Sequence, residues 1–531
     1  MLRVTDANRP WWTLVGSCVG LFLLMLDSTV VVLALPSIQH DLDASDTALQ
    51  WVQNAYLLAV AVLVVTLGRL GDMLGRRLVF VWSLAVFAAG SAMAALASSE
   101  GILVAARVVQ GMGGAGLVAL SLAITCAAFP PDQQNRAVGI WAAVSSLALA
   151  IGPLVGGVLI DAASWRWIFW LNPPIAAAGA AILLYAAEES RDESAGRRLD
   201  VAGFVLLTLG LTGVVLALIE SSTWGWDSAG TLGLLAGGSA LLAAFWVVEH
   251  RVAEPIVDFS LFRNGPYFGA SAAGFALVGC YWSLMYFQPQ YLQNVLDYSA
   301  IAAGLLILPV TAPMLAISPL AGALIARFGA RALMTAGMLT AVAGLLIQTR
   351  IDAGSGYGLL LPGFLLFGIA LGLVYAPMST AAMSSMPREK AGIASGVLAM
   401  NRVMAGALGL AATGAVFAAL QRDKLSELLL QRAPAVHGQR EELDGLLAGS
   451  SAAREKLADQ PQGLVERVEA VFRETFAFAL ANAFWVLVGL AAVGALLTWM
   501  FVRSAPAATP PEKPTAPQDV QHHQHHRRFH F

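Results

Sequence analysis

The chain has 531 residues, and its composition is far from that of a soluble protein. Only 12% of the residues are charged, whereas 58% are hydrophobic; soluble domains carry about 25% charged residues. So few charges could not cover the surface of a soluble chain of this length, which excludes a water-soluble enzyme, a disordered chain and a nucleic-acid-binding protein. The net charge of −3 indicates neither an acidic nor a basic partner.

Fourteen apolar runs follow one another along the chain, each of about the length that crosses a bilayer as a helix. They cover residues 12–34, 50–68, 78–98, 101–123, 137–160, 168–187, 201–219, 230–248, 266–288, 301–324, 332–350, 357–378, 391–420 and 477–502. They lack the short alternating pattern of a membrane β-barrel. The sequence predicts an all-α membrane protein with fourteen transmembrane helices, here called spans 1 to 14.

Basic residues are distributed unevenly between the two sides of the predicted membrane. Nineteen lie in the segments on the side of the N-terminus, whereas the short loops on the other side contain only Arg166 and Arg350. Cytoplasmic loops are enriched in Lys and Arg. We therefore expect both termini to be cytoplasmic.

Two similar stretches, 68–77 after span 2 and 322–331 after span 10, are separated by 254 residues and share Gly, Leu, Gly and Arg in register. The copies are eight spans apart, so they have the same orientation, as in transporters built from parallel repeats. This predicts two six-helix bundles with spans 7 and 8 inserted between them. The predicted units are an N-terminal bundle (1–187), two linker helices (188–263), a C-terminal bundle (264–503) and a disordered cytoplasmic tail (504–531).

The C-terminal bundle contains a long extracellular stretch, 421–475, whose leucines have helical spacing. We interpret it as a helical hairpin that caps the bundle. The tail ends in a histidine-rich segment, for which adventitious metal binding is the favoured interpretation because no partner ligands lie nearby in the sequence. We expect no metal site and no cofactor.

Two charged residues within spans are the leading functional candidates. Asp27 lies inside span 1, where a carboxylate costs ~2.5–3.5 kcal/mol even on the lenient insertion scale, and it could exchange a proton or receive a cation. Arg107 lies in span 4, and it needs a wet cavity or a carboxylate because its charge is permanent. A structural carboxylate near the end of a span and an arginine tied to backbone carbonyls are the alternatives.

Span 5 carries a second motif, Gly152, Pro153, Gly156 and Gly157. Proline within a span kinks the helix, and small residues allow a partner helix to cross closely. The motif is typical of a hinge or of a seal between two halves, and an ordinary packed kink is the alternative.

The loop after span 2 contains Gly68, Asp72, Gly75, Arg76 and Arg77. Its glycines permit tight turns, and its aspartate could cap a helix or pair with either arginine. We interpret the loop as a latch that breaks when the halves separate. A plain cytoplasmic loop is the alternative, and the second copy favours the latch.

Polar and aromatic residues within spans are candidates for lining a substrate cavity. They are Gln53, Asn54, Tyr56, Gln110, Tyr281, Trp282, Tyr286, Asn401 and Arg402. Aromatic side chains with few charges suit lipophilic substrates, cations among them. Packing or interfacial anchoring is the alternative for each one.

Chemistry other than transport has little support in the sequence. The chain has no phosphate-binding loop of the Gly-x-x-x-x-Gly-Lys-Ser/Thr type, so it is not its own ATP-driven pump. No cluster of nucleophile, base and orienting residue stands out, and we expect a non-enzymatic protein.

Taken together, these motifs resemble the major facilitator superfamily, and within it the fourteen-helix drug:proton antiporters. The matching stretches are 68–77 (the superfamily loop), 107–115 (the proton-coupling motif), 152–157 (the antiporter motif), and 26–29, 34–36, 165–169 and 172–173 (signatures of the fourteen-helix branch). The resemblance covers about residues 12–503. Departures are Val32 where the family usually has Asn, Ala148 for the first Gly of the antiporter motif, and Ala326 in the second loop where the first has Asp72.

The resemblance implies the major facilitator fold and a secondary active transporter in the bacterial cytoplasmic membrane. It implies that Asp27 and Arg107 serve proton coupling or cation recognition, and that the span-5 motif sets the direction of exchange. We predict a monomeric proton-coupled antiporter that exports amphipathic drugs, with a preference for cations, by alternating access. An exporter of one metabolite or lipid and a non-transporting receptor or scaffold are the alternatives.

Overall fold

The computed structural model describes residues 5, 8–191, 200–252, 255–386, 391–432 and 462–502. Within them the chain is helical, and no strand occurs. The first half contains α1 (Arg9–Leu42), α2 (Asp46–Leu74), α3 (Arg76–Ala95), α4 (Glu100–Ala128), α5 (Pro131–Ala162), α6 (Arg166–Trp170) and α7 (Asn172–Ala186). Two helices follow, α8 (Val201–Trp224) and α9 (Ala229–Glu249). The second half contains α10 (Gly265–Asn294), α11 (Ala300–Ile307), α12 (Ala312–Ile317), α13 (Ala321–Gln348), α14 (Tyr357–Ser384), α15 (Ala391–Arg432) and α16 (Gln462–Phe501).

These helices account for the fourteen predicted spans. Thirteen segments of the described chain are long and apolar enough to cross a membrane, and α5, with 32 residues, supplies the remaining span. α6 and α7 together form span 6, and α11 and α12 form span 10. The fold is therefore two six-helix bundles with α8 and α9 inserted between them, as predicted.

Polar side chains cap the N-termini of several helices. Ser45 and Ser99 cap α2 and α4 by accepting hydrogen bonds from Ala48 and Ile102, and Asn264 caps α10 in the same way. Such caps satisfy backbone N–H groups that have no partner inside the helix. The turns that these serines occupy, between α1 and α2 and between α3 and α4, are short.

Two ends of the bundle can be distinguished by residues of α2 and α3. We call them the Asp46 end, where α2 begins, and the Arg76 end, where α3 begins. Alternation along the chain places the start of α1 and the start of α15 at the Arg76 end. By the charge distribution in the sequence, the Arg76 end is the one expected to face the cytoplasm.

The loops of the two repeats share an unusual backbone conformation. Gly75 has φ 125° and Gly329, 254 residues later, has φ 77°. Both values lie in a region that residues with a Cβ rarely adopt. In the second half, the non-helical backbone of Gly329 kinks α13, so that the residues before it end span 10 and the residues after it form span 11. The repeat found in the sequence therefore has a counterpart in the backbone.

Span 10 differs from the continuous helix that its apolar run suggests. Short 3-10 turns over Leu308–Val310 and Ser318–Leu320 divide it. Each begins one residue before a proline, which lacks the N–H that an α-helix needs and clashes with the preceding turn.

α15 and α16 extend past the other helices at the Asp46 end. α15 has 42 residues, about 63 Å at 1.5 Å per residue, roughly twice the ~30 Å hydrocarbon core. The projecting ends pack together through a small apolar cluster formed by Leu425, Leu428, Leu429, Val468 and Val471. They form the two described ends of the predicted hairpin 421–475. Residues 433–461 of that hairpin, and the predicted tail 504–531, lie outside the described residues.

Candidate functional site

The two charged candidates of the first half form a buried ion pair. Arg107 is completely buried and Asp27 is 2% exposed, and Arg107 Nη1 lies 2.6 Å from Asp27 Oδ2. Sequence alone gives no reason for residues of spans 1 and 4 to touch. Burying either charge alone in an interior with little water would be costly, and their pairing lowers this cost.

Two amides complete the shell around the Asp27 carboxylate. Gln110 Nε2 and Asn172 Nδ2 donate to Asp27 Oδ1 at 2.8 and 3.0 Å. Gln110 Oε1 also accepts from Arg107 Nη1 at 2.6 Å, so the three side chains close a ring. With Arg107, the carboxylate thus has three donors from α4 and α7.

Asn172 is a functional candidate that the sequence interpretation missed. It is 1% exposed, and its Nδ2 also donates to Ser91 Oγ at 2.9 Å. Ser91 in turn donates to the carbonyl of Phe169 at 2.8 Å. A polar residue opening the long apolar run of α7 was the available signal, although the sequence interpretation used Asn172 only as part of a family signature.

Two further contacts of the Arg107 guanidinium are with α2. Nε donates to the carbonyl of Val52 at 3.0 Å, and the guanidinium carbon lies 4.1 Å from the centroid of the Tyr56 ring. Nη2 is buried and has no hydrogen-bond partner among the described residues. The guanidinium therefore keeps unused donor capacity.

A glycine of α4 brings α2 close enough for these contacts. A Cβ at Gly111 would lie 2.7 Å from the carbonyl oxygen of Tyr56 and 2.8 Å from Ala59 Cβ, closer than packed atoms approach. Small residues allow such helix approach in membranes. The glycine-rich stretch after Arg107 thus sets the distance at which Tyr56 stacks.

The span-5 motif lies against two neighbours. Gly156 packs on Val30 of α1, with Val30 Cγ1 at 2.9 Å from an added Cβ, and Gly157 packs on α11, with the carbonyl oxygen of Ala300 at 2.6 Å. The carbonyl of Pro153 faces Gly304, and Gly152 faces Thr29. The motif thus contacts α1 of its own half and α11 of the other.

Further contacts join the halves at the Asp46 end. Gln293 Nε2 donates to the carbonyl of Leu33 at 3.2 Å, and the Ile301 N–H donates to Asp161 Oδ2 at 3.0 Å. Gln50 of α2 lies against Gly414 of α15. The halves are therefore held together near the end where α2 begins.

The loop after span 2 forms one of the two contacts expected of Asp72, the pairing with an arginine, but not the helix cap. Asp72 pairs with Arg76, with Oδ1 at 2.8 Å from Nε. Glu189, not Asp72, caps α3, by accepting from the N–H groups of Arg77 and Leu78 at 2.9 and 3.2 Å. Gly68 packs toward Ala119 of α4.

The two arginines of this loop bind within their own half. The Arg76 N–H donates to the carbonyl of Ser190 at 3.0 Å, and Arg77 Nη1 donates to that of Ala187 at 2.8 Å. In the conformation described, the backbone of Arg76 and the side chain of Arg77 therefore tie the loop to the segment after α7, within the first half.

The cavity candidates separate into groups. Tyr56 and Gln110 join the ion pair. Gln53 and Asn54 are completely buried, and neither amide has a hydrogen-bond partner among the described residues. Buried amides without partners usually meet water or a ligand, so these two remain candidates.

The second-half candidates lie on α10 and α15. Tyr281 and Trp282 have ring centroids 5.3 Å apart in an edge-to-face arrangement, and Tyr286 packs on Phe287 at 4.9 Å. Asn401 donates to the carbonyl of Ser271 at 2.9 Å, which ties α15 to α10. The guanidinium of Arg402 lies 5.2 Å from the ring centroid of Tyr375.

A fourteen-helix membrane bundle with a repeated loop in its two halves and buried charged and polar groups within its spans defines a membrane transporter. The family model described as Major Facilitator Superfamily matches residues 17–410. The chain belongs to this superfamily.

Named relatives and solved structures agree with this assignment. The chain is 34% identical over 515 residues to the tetracenomycin C resistance and export protein of Streptomyces glaucescens, covering 95% of this chain and 94% of that protein. It is 35% identical over 468 residues to multidrug resistance protein Stp of Mycobacterium tuberculosis, covering 88% and 86%. A bacterial homologue of the lysosomal transporter Spinster, crystallised inward-facing and unoccupied, shares the fold with TM-score 0.65 at 16% identity, covering 94% of this chain and 99% of that one.

Proposed function

We propose that the protein is a proton-coupled antiporter that exports amphipathic drug-like molecules across the bacterial cytoplasmic membrane by alternating access. The observation that carries the coupling part is the buried ion pair of Asp27 and Arg107. The export part is supported by relatives named for resistance and export, among them the puromycin resistance protein of Streptomyces alboniger, 35% identical over 414 residues.

The ion pair offers a physical route from proton binding to motion. When Asp27 accepts a proton it loses its charge, whereas Arg107 keeps its own. Arg107 is then a buried cation without a counter-ion, and breaking such a pair typically costs 3–5 kcal/mol. That cost is relieved if water reaches Arg107, so protonation favours a rearrangement that opens the region between the halves.

The contacts at the Asp46 end are the proposed seal of the cycle. The Arg76 end, where basic residues concentrate, faces the cytoplasm in this proposal. Substrate would then enter from the cytoplasm while Gly157 packs against Ala300. It would leave after the Asp46 end has separated and the other end has closed.

The decisive experiment is transport into inverted membrane vesicles under an imposed pH gradient, with lipophilic cations and neutral drugs as substrates. We expect uptake that stops when the gradient is collapsed, together with proton movement that depends on substrate. Uptake unchanged after the collapse would contradict proton coupling. A complete lack of substrate-dependent proton flux across the panel would favour the non-transporting alternative.

A further inference from the structure

Arg402 is a charged residue within a span whose charge no group of the described residues compensates. It lies on α15, eleven residues after the helix begins, about three turns from the Arg76 end. Its only described polar or ring contact is the Tyr375 ring, 5.2 Å from the guanidinium carbon to the centroid. No described carboxylate lies within 4 Å, and the guanidinium donates no hydrogen bond to a described residue.

The two helices that the Arg402 side chain touches, α10 and α14, supply no counter-charge. α10 and α14 contain no aspartate or glutamate, and α15 has none before Asp423. In the first half, the buried carboxylate of Asp27 is already paired with Arg107. Between them, α10, α14 and the part of α15 before residue 422 thus carry one positive charge, that of Arg402, and no negative one.

An aromatic wall continues from the cation toward the middle of the molecule. The stem of Arg402 lies against Gly274 of α10. One turn further along α15, Gly406 packs on the indole ring of Trp282. Tyr281 lies edge-to-face with that ring. Arg402 and Tyr375 are half-buried, so the cation is partly shielded from solvent and still reachable.

A cation that lies beside aromatic rings and has no counter-ion among the described residues suits a ligand that combines an anionic group with an aromatic ring. An arginine serving only packing would spend its donors on backbone carbonyls of the surrounding helices. A partly desolvated guanidinium binds carboxylate, sulfonate or phosphate oxygens strongly. Flat rings would stack on the aromatic side chains next to it.

We propose that Arg402 is the anion-binding group of a substrate subsite in the second half, which takes amphipathic aromatic molecules carrying an acidic group. The proposal rests on the proposed function in treating the bound molecule as cargo, and it extends the cationic preference expected from the sequence to acidic compounds. Tyr281 and Trp282 hold the aromatic part, and Arg402 holds the acid.

The test compares two fluorescent probes that share one ring system, 1-anilinonaphthalene-8-sulfonate and its neutral parent N-phenyl-1-naphthylamine. Binding to the full-length protein in lipid nanodiscs is measured against empty nanodiscs. We expect Arg402→Gln to weaken binding of the sulfonate at least tenfold and that of the neutral amine less than twofold. Arg402→Lys should restore part of the sulfonate affinity.

Arg350→Gln is the matched control, since it removes one exposed positive charge at the opposite end of the molecule. It should leave both affinities unchanged. Failure of the sulfonate to bind, an unchanged sulfonate affinity in Arg402→Gln, or equal losses for both probes would each overturn the proposal.

Binding in nanodiscs needs no pH gradient, so it separates this proposal from the proposed function. Charge-dependent binding without gradient-driven uptake would support the subsite and contradict coupled transport. Gradient-driven uptake with equal probe binding in wild type and Arg402→Gln would do the reverse.

Discussion

The two halves of the molecule each place an arginine within a span beside a tyrosine ring, and they treat it in opposite ways. Arg107 is fully buried, pairs with Asp27 and stacks on Tyr56 at 4.1 Å. Arg402 is half-buried and stacks on Tyr375 at 5.2 Å, with no counter-ion among the described residues. The charge of Arg107 is compensated by a carboxylate of the protein, whereas the charge of Arg402 is available to a bound molecule.

This difference suggests a division of labour between the halves. A compensated pair responds to an event that removes one of its charges, such as protonation of the carboxylate. An uncompensated cation responds to the arrival of an anion. In our proposals, the first half senses the proton and the second half selects the cargo.

The largest effect should come from removing the titratable group of the first half. We expect Asp27→Asn to abolish gradient-driven export, because an amide cannot take up and release a proton at this position. Uptake of each substrate into inverted vesicles is the measurement. Full transport of every substrate by this variant would remove Asp27 from the mechanism.

A double variant separates coupling from folding. Asp27→Asn alone leaves Arg107 as a buried unpaired charge, which could also lower the yield of folded protein. Asp27→Asn combined with Arg107→Gln removes both charges. We expect its thermal unfolding midpoint to lie closer to that of the wild type than the midpoint of Asp27→Asn does. The double variant should nevertheless fail to couple export to the pH gradient.

The next effect tests the contrast between the two arginines directly. Arg107→Gln strips a buried carboxylate of its counter-ion and should cost 3–5 kcal/mol of unfolding free energy. Arg402→Gln breaks no ion pair and should cost less than about 1 kcal/mol. Unfolding midpoints of the two purified variants, measured side by side, check this. Similar losses would break the comparison.

Asn172 gives an intermediate effect within the first half. Asn172→Ala removes one donor from the Asp27 carboxylate and one from Ser91, and a hydrogen bond to a charged group contributes about 1.5–3 kcal/mol. We expect a loss of stability in this range. Ser91→Ala, which leaves the contact with Asp27 in place, is the control and should lose less.

The smallest effect compares the loops of the two repeats. Both Gly75 and Gly329 combine positive φ with an extended ψ, a conformation almost restricted to glycine, so alanine at either site should cost about 1–3 kcal/mol. At Gly75 an added Cβ would also meet the Glu189 carboxylate at 2.6 Å, whereas the space at Gly329 is open. Gly75→Ala should therefore be the more destabilising substitution in thermal unfolding, and an equal loss would argue against Glu189 as a tight cap.

Much of the first-half site could be predicted from the sequence because charges inside apolar runs are rare. Asp27 and Arg107 stand out for this reason, and Gln110 follows from its position one turn after the arginine. Asn172 does not stand out, since a neutral amide costs less in a span and its contact joins residues 145 positions apart. Packing between helices decides such contacts.

In the second half, neighbouring candidates turned out to differ. Asn401 and Arg402 are adjacent and look equally polar, but successive residues of a helix point about 100° apart. The Asn401 amide donates to the carbonyl of Ser271, while Arg402 turns to Tyr375. The loop after span 2 shows a similar limit, because its capping residue, Glu189, comes from beyond α7.

The inserted helix α8 has a consequence for how oily molecules reach the interior. Its residues Leu211 and Val215 share one apolar cluster with Leu58 and Val62 of α2 and with Ala411 of α15. α8 thus covers the seam where these two helices meet, and a solute dissolved in the bilayer cannot slip between them at that height. An entrance from the lipid through this seam would therefore require α8 to move away from α2 and α15.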